Sequence, residues 1–218
     1  MSTHPGTDMR HRRTTPAVHA GAALLLAALL SGCAGSAPSN FYTLSTSRSE
    51  VAATSRPAAV VVAVGPVTLP DYLDRSPIVT RDSAYAISLA DNDYWAGPLT
   101  TMVPRVLAQD VALRLPADRV VTFPQVGGGG FDYRMAVDVG QFDVDADGTA
   151  TLAARWQIYA PGAPRALLLG DETIRRPTGG GGYEAGTAAL SATLGDLSDR
   201  LVQGLNAIRD TAPRPLAD

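Results

Sequence analysis

The sequence lacks lysine altogether and has only one cysteine and three histidines. All three histidines, His4, His11 and His19, precede the cysteine, Cys33. If the chain is cleaved before Cys33, the mature protein has neither histidine nor lysine. Histidine- or lysine-activated nucleophiles, zinc sites built from His or Cys, and internal disulfides are then excluded. These absences predict a protein that is not an enzyme and holds no metal.

Runs of basic residues are also missing from the chain that would follow cleavage. That part has 15 arginines and 20 acidic residues, a formal charge of −5. Affinity for nucleic acid depends on neutralising phosphates, so we expect no nucleic-acid partner. Apolar residues make up 45% of the 218 positions, which is enough to bury the core of one substantial domain.

The N-terminus has the pattern of an export signal. Arginines at positions 10, 12 and 13 precede an apolar run at 20–30, which is too short to cross a bilayer of ~30 Å as a helix. The sequence Leu30-Ser31-Gly32-Cys33 follows, and it resembles the lipobox of bacterial lipoproteins, in which the cysteine is acylated and becomes the first mature residue. The alternatives are an ordinary signal peptide or a buried helix, each with an incidental cysteine, and Met9 is an alternative start.

This resemblance implies how the chain is divided and where it is held. Residues 1–32 are a cleaved signal peptide, residues 33–40 a tether of at most ~26 Å, and Cys33 carries diacylglycerol and an N-acyl chain such as palmitate. We expect no other cofactor. In such lipoproteins an Asp after the cysteine favours the inner membrane. The residue here is Ala34, which favours the outer membrane and its periplasmic face.

Residues 41–210 are predicted to form a single α/β domain, followed by a flexible tail at 211–218. The first half should contain strands at 41–44, 59–64, 78–81, 85–89 and 120–123, a turn at 91–93, and a helix at about 98–115. Pro104 fits that helix in two ways: Thr101 is the N-cap, or the helix starts at Pro98 and Pro104 lies inside it.

The second half should be a three-stranded antiparallel meander and a long helix. From position 131 the apolar period is two; its phase changes at Gly140, which predicts a bulge, and Asp147-Gly148 is a hairpin turn. The helix at 183–210 has a leucine stripe that we interpret as core rather than as a docking surface. The stripe consists of Leu190, Leu194, Leu197, Leu201, Leu205 and Ile208.

Three patterns that suggest ligand chemistry have simpler explanations. Residues 143–148 begin like a calcium loop, but the twelfth position is Ala154 instead of Glu, so we expect a solvated turn. The glycine runs at 127–130 and 179–182 precede no lysine, as a phosphate loop would require. Asp171 and Glu172 are adjacent on a strand and therefore point to opposite faces, which argues against a carboxylate hydrolase.

Several motifs resemble the ABC-type transport auxiliary lipoprotein family (PqiC-like). They are Phe41-Tyr42-Thr43-Leu44, the valine run before Gly65-Pro66-Val67, Leu69-Pro70-x-Tyr72-Leu73-Asp74-Arg75-x-x-Ile78-Val79-x-Arg81, and Trp95-Ala96-x-Pro98-Leu99 with Arg105-Val106-Leu107. Their order spans most of the mature chain. Gly97 departs from the family pattern, in which an acidic residue stands at that position.

The resemblance implies a mixed, largely antiparallel sheet with two main helices packed on it, similar to the N-terminal domain of TolB-type proteins. It also implies a non-enzymatic subunit of an MCE-type intermembrane lipid transport system. Such a subunit docks the MCE-domain protein at the outer membrane and supports envelope integrity. The alternative is a lipoprotein chaperone that carries a lipid or an outer-membrane component in its own cavity. Self-association is left open.

The loop at 69–77 is the candidate partner-binding segment. It presents an aromatic residue beside an arginine, a combination that is enriched at interface hot spots, and its two prolines reduce the cost of ordering. The alternative is that Tyr72 and Leu73 fold back onto the domain while Asp74 and Arg75 pair locally. The candidate partner-binding residues are Tyr72, Leu73, Asp74, Arg75, Arg81 and Trp95.

Overall fold

One mixed sheet of eight strands carries two long helices. The computed structural model describes residues 37–47, 60–115, 118–124 and 130–211. The expected signal peptide, most of the glycine run at 127–130, and the tail beyond Thr211 lie outside these residues. Residues Ser39–Asp218 group as one compact unit.

The elements alternate in type along the chain. The strands are β1 (Asn40–Tyr42), β2 (Val61–Thr68), β3 (Pro77–Arg81), β4 (Ile87–Trp95), β5 (Arg119–Thr122), β6 (Tyr133–Asp145), β7 (Thr149–Tyr159) and β8 (Leu168–Pro177). The helices are α1 (Leu99–Arg114) and α2 (Gly182–Thr211), and a 3₁₀ turn covers Asp71–Leu73.

Strand β6 organises the sheet. Along one edge it pairs antiparallel with β7, which pairs antiparallel with β8. Along the other edge β6 pairs in parallel with β2 and, near its C-terminal end, with β3. From there β2 leads to β5, and β3 leads through the antiparallel β4 to the parallel β1. The predicted fold class is confirmed, and the two longest ladders are antiparallel.

The helices cover one face of this sheet. Alternate residues of β7 are buried against them: Leu152, Ala154, Trp156 and Ile158. Gly204 of α2 lies so close that a Cβ there would stand 2.9 Å from the ring of Trp156. The opposite face is polar and open at Arg155 and Asp171. This alternation is the expected pattern of a sheet buried on one side only.

Helix α2 provides the main cover, and the core interpretation of its stripe is confirmed. Five of the six stripe leucine and isoleucine positions are at most 2% exposed, and Ile208 is half-buried. The predicted bulge at Gly140 is confirmed too, because the β6–β7 register shifts between Val139 and Gln141. No helix in the described part of the chain is both long and apolar enough to cross a membrane.

Helix α1 begins directly after Pro98, as one of the two predicted alternatives required. Pro98 occupies the N-cap position and accepts a hydrogen bond from the Thr101 amide at 3.0 Å, so Pro104 lies inside the helix. Thr101 as the N-cap is therefore wrong. Pro104 is the sixth residue of α1, beyond the unpaired amides of the first turn, so the helix lacks the hydrogen bond that an amide at this position would donate to Thr100 O.

The expected turn at 91–93 is also wrong, because β4 continues to Trp95. Asp93 accepts hydrogen bonds from the Asn40 side chain at 2.9 Å and from the Tyr42 hydroxyl at 2.8 Å. These contacts hold β1 beside residues 93–95 of β4. The β3–β4 register shifts between Pro77 and Val79, and this irregularity accommodates the polar Asp-Asn-Asp segment within a strand.

Candidate functional site in the loop after β2

The loop between β2 and β3 has an inner half and an outer half. Its 3₁₀ turn is closed by hydrogen bonds from the Leu73 amide to Pro70 O at 3.0 Å and from the Asp74 amide to Asp71 O at 3.1 Å. Leu73 is 3% exposed and belongs to the core, and Tyr72 is half-buried against it. The next two side chains, Asp74 and Arg75, are exposed.

A buried carboxylate ties the inner half to the sheet. Asp143 of β6 is 1% exposed and accepts hydrogen bonds from three side chains. The Tyr72 hydroxyl donates at 2.8 Å, Nη2 of Arg81 at 2.7 Å and Nε2 of Gln141 at 2.7 Å. A buried carboxylate is stable only when it is paired and hydrogen-bonded, and Asp143 satisfies both conditions. We call these four side chains the Asp143 cluster.

The ionisation of the cluster follows from this packing. Burial, followed by the hydrogen bond to Asp143, raises the pKa of Tyr72 to about 12. The hydrogen bond to Asp143 raises the pKa of Arg81 above its ordinary value. The guanidinium carbon of Arg81 also lies 5.6 Å from the centre of the Tyr72 ring, in a cation–π contact. Tyr72 therefore stays neutral and Arg81 stays charged at neutral pH, and the cluster braces the loop.

The six predicted partner-binding residues do not form one surface. Leu73 and Trp95 are buried in the core, Trp95 at 6% exposure, so they present little surface to a partner and are corrected to core residues. Tyr72 and Arg81 are engaged by Asp143, in the fold-back that the alternative described. Asp74 and Arg75 do not pair locally: neither side chain has a hydrogen bond or ion pair within the described residues. Their partner-binding role stays a prediction.

The sequence did not reveal the central residue of the cluster. The sequence predicts a solvated turn at 143–148, but Asp143 is buried and its carboxylate accepts hydrogen bonds from Arg81 and Tyr72, which are 62 and 71 positions away. The turn itself is closed by Asp145, which accepts hydrogen bonds from the amides of Asp147 and Thr149. Among the residues that the structure describes, no group of three or more carboxylate, His or Cys side chains could hold a metal ion.

A second charged cluster fastens the segment after β1 to both helices. Asp110 of α1 accepts a hydrogen bond from the Ser47 amide at 2.9 Å and faces Arg114, which also pairs with Asp199 of α2 at 2.7 Å. The Ser45 amide donates to the hydroxyl of Ser191 at 3.2 Å. Gly195 leaves the room for this: a Cβ there would lie 2.5 Å from Cβ of Ser47.

Asp110 is fully buried, and its Oδ2 has no hydrogen-bond partner within the described residues. Burial raises the pKa of Asp110 to about 6, although the Ser47 amide and the charge of Arg114 oppose the change. The negative charge of Asp199 adds to the increase. The charged form of this carboxyl is therefore poorly stabilised at its buried position.

One apolar pocket lies between β3, the β6–β7 turn and the start of α2. Its volume is about 270 Å³. Its lining includes Ile78, Val144, Ala146, Tyr183 and Leu190. Sites for small molecules usually measure ~300–1,000 Å³, so this pocket is small for a two-chain lipid. Two larger and more open clefts, of about 530 and 490 Å³, lie beside β1 and beside the end of α2.

The fold and the clusters around Asp143 and Asp110 define a class of protein: an α/β domain with one sheet, in which buried charged groups hold the connecting segments in place. The sequence model of one family, the ABC-type transport auxiliary lipoprotein component, matches residues 42–202. The chain therefore belongs to the ABC-type transport auxiliary lipoprotein family.

Two known proteins agree with this assignment. The chain is 29% identical over 134 residues to the intermembrane transport lipoprotein PqiC of Escherichia coli (strain K12) and, equally, of Shigella flexneri. The match covers 61% of this chain and 70% of each relative.

Two crystal structures share the fold. One, of an uncharacterized protein, has a TM-score of 0.63 at 20% identity, covering 78% of this chain and 99% of the other. The second, of a Xanthomonas campestris protein, has a TM-score of 0.60 at 18% identity, covering 79% and 99%.

Proposed function

We propose that this chain is a non-enzymatic auxiliary subunit of an MCE-type intermembrane lipid transport system. It is held at the periplasmic face of the outer membrane by acyl chains on Cys33, and it docks the MCE-domain protein of the same system. The family match over residues 42–202 carries the proposal. The name of the PqiC relatives, intermembrane transport lipoprotein, and the order Leu30-Ser31-Gly32-Cys33 support it.

The use of the charged side chains supports a non-enzymatic role. General acid–base catalysis requires a group that can reach a substrate, and Asp143 is enclosed by three donors. The exposed pair Arg155–Asp171 lies on the open face, where Asp138 lines the same shallow depression, and Arg155 stands between the two carboxylates in the sheet register. After cleavage, no histidine or lysine remains to act as a base.

The outer half of the loop supports docking. Asp74 and Arg75 project from a turn whose inner half is held by the core and by the Asp143 cluster. A partner therefore does not have to order this backbone on binding, which lowers the entropic cost of association. An exposed arginine on a rigid loop is a common anchor in protein interfaces.

The lipid-chaperone alternative is less well supported, because the most enclosed apolar pocket, of about 270 Å³, is small for a lipid with two acyl chains, and the larger clefts of about 530 and 490 Å³ are more open to solvent. Purification of the domain without bound lipid would agree with the docking role. Stoichiometric lipid in the purified domain would favour the alternative.

The proposal is tested first at Cys33. The wild-type chain should incorporate labelled palmitate, fractionate with the outer membrane and co-purify with the MCE-domain protein. Cys33→Ser should accumulate as an unprocessed precursor without label, because the acylated thiol is missing. A Ser variant that is still processed and still held in the membrane by lipid would contradict the anchoring proposal.

A further inference from the structure

Three apolar side chains are exposed together on β4 and on the hairpin that precedes it. Tyr85, at the tip of the β3–β4 hairpin, is fully exposed, Ile87 is 37% exposed and Leu89 is 45% exposed. The hairpin is closed by hydrogen bonds from the amides of Asp82 and Ser83 to Ala86 O, at 3.0 and 3.2 Å. We call Tyr85, Ile87 and Leu89 the hairpin patch.

The patch belongs to the open face and the outer edge of the sheet. Ile78 and Thr80 line a pocket with residues of α2, so the alternate residues Val79 and Arg81 point to the other face of the sheet. Leu89 pairs with Val79 and Ile87 with Arg81, and both therefore share the face that lies away from the helices. On its outer edge, β4 is paired only at residues 93–95, where β1 lies. Within the described residues, no other element covers the part of β4 that carries the patch.

The direction of β1 relates this patch to the membrane anchor. Because β1 runs parallel to β4, with Asn40 opposite Asp93, the N-terminal end of β1 faces the end at which β4 begins. Six residue steps, about 20 Å of strand, separate Asp93 from Ile87. Seven steps, at most ~23 Å, separate Asn40 from Cys33. The tether is thus long enough for Cys33 to reach the level of the hairpin patch, and it is too short to place the domain far from the bilayer.

We propose that the hairpin patch rests in the headgroup region of the membrane that holds the Cys33 acyl chains. This inference depends on the proposed function, because it requires Cys33 to be acylated. A tyrosine with an apolar ring and a polar hydroxyl suits the membrane–water interface, and the two aliphatic side chains supply apolar area beside it. The neighbouring Asp82 and Asp91 are exposed and would be repelled by anionic headgroups. The membrane surface that fits the patch is therefore one without net charge.

Contact at the patch would fix the orientation of the domain. A domain held by its tether alone turns freely, whereas a second contact at the hairpin holds the sheet edge against the bilayer. The docking loop would then be presented in a constant direction, which favours a partner that approaches from the periplasm.

The test uses the absence of other cysteines. In the full-length acylated protein, Tyr85→Cys introduces the only free thiol, and it takes a polarity-sensitive dye at a fully exposed position that does not disturb the core. Leu169→Cys is the matched control: Leu169 is 71% exposed, lies on the same open face, and belongs to β8 at the opposite edge of the sheet. Both proteins are placed on phosphatidylcholine vesicles that contain a spin-labelled quencher lipid.

The dye at position 85 should shift to shorter wavelength on the vesicles and lose emission to the quencher lipid, while the dye at position 169 behaves as in water. Equal signals at the two positions would overturn the inference. A shift at position 85 without quenching would overturn it too, since a protein would then cover the patch. Vesicle sedimentation separates the two proposals: protein that stays in solution lacks its acyl anchor, and both proposals then fail.

Discussion

The structural role of Asp143 could not be predicted from the sequence. The sequence predicts that Tyr72 and Arg81, which lie in one short motif, bind a partner, but the carboxylate that they contact is more than 60 positions away. A short sequence pattern carries no information about a contact with a residue so far along the chain. The sequence therefore predicts a binding surface where the structure has side chains that hold the loop to the sheet. Only Asp74 and Arg75 keep the exposure that a binding surface needs.

Removal of the central carboxylate should be costly. Asp143→Ala leaves Arg81 and the hydroxyl of Tyr72 without their acceptor, and breaking a buried pair destabilises by about 3 kcal/mol or more. Urea unfolding measures the loss. Asp171→Ala, which removes an exposed partner of Arg155, should change the free energy of unfolding by less than about 0.5 kcal/mol. Similar effects of the two substitutions would contradict the role assigned to the Asp143 cluster.

The carboxyl of Asp110 should make stability depend on pH with a defined sign. Its pKa is about 6 in the folded protein and about 3.9 in an unfolded chain, so the folded state binds the proton more tightly. The associated stability is complete below pH ~4 and is lost as the pH rises through 6. Arg114 and Asp199 are the charged groups that face this carboxyl.

Urea unfolding of the wild type and of Asp110→Asn across this range isolates the effect. The free energy of unfolding of the wild type, minus that of the variant, should fall by an amount on the order of 2 kcal/mol between pH 4 and 7. A difference that is constant or rises with pH would show that burial does not dominate at this site.

At the scale of elements, the sequence predicted the pieces with strong periodicity. The meander, its bulge at Gly140 and α2 follow from apolar periods of two and of three to four residues, and all three are present. The end of β4 could not be predicted in this way, because Asp91, Asn92 and Asp93 are typical turn residues. Their strand depends on β1, a partner about 50 positions earlier in the chain.

The packing of the segment after β1 against α2 predicts an unusual glycine effect. Replacement of glycine by alanine inside a helix normally stabilises by about 1 kcal/mol. At Gly195 the new methyl group would meet Cβ and Oγ of Ser47 at 2.5 and 2.8 Å, so Gly195→Ala should destabilise the protein instead.

Thermal unfolding of a double-mutant cycle checks this contact. Ser47→Gly removes the atoms that the methyl group meets, so the double variant should recover stability relative to Gly195→Ala alone. If Gly195→Ala is stabilising in the wild-type background, the segment is not held as closely as the structure places it.

At the scale of the whole molecule, we propose that the protein is anchored to the membrane and has two separate contact regions. The hairpin patch is proposed to meet the bilayer, and the loop with Asp74 and Arg75 is proposed to meet a protein. The family was recognisable from motifs such as Leu-Pro-x-Tyr-Leu-Asp-Arg, although several of these residues turn out to stabilise the domain. Recognition of a family and assignment of its binding residues are therefore separate inferences.

Binding of the MCE-domain protein to the exposed loop tests the central claim most directly. Binding is measured by calorimetry with the purified acylated chain in detergent. Arg75→Ala should lower the free energy of dissociation by ~1–2 kcal/mol relative to the wild type, while the melting temperature of the variant stays unchanged. Arg155→Ala, an equally exposed arginine on the open face, is the control and should bind as the wild type does. Equal binding by Arg75→Ala, or a loss of binding that parallels a loss of stability, would contradict the claim that this loop docks the partner.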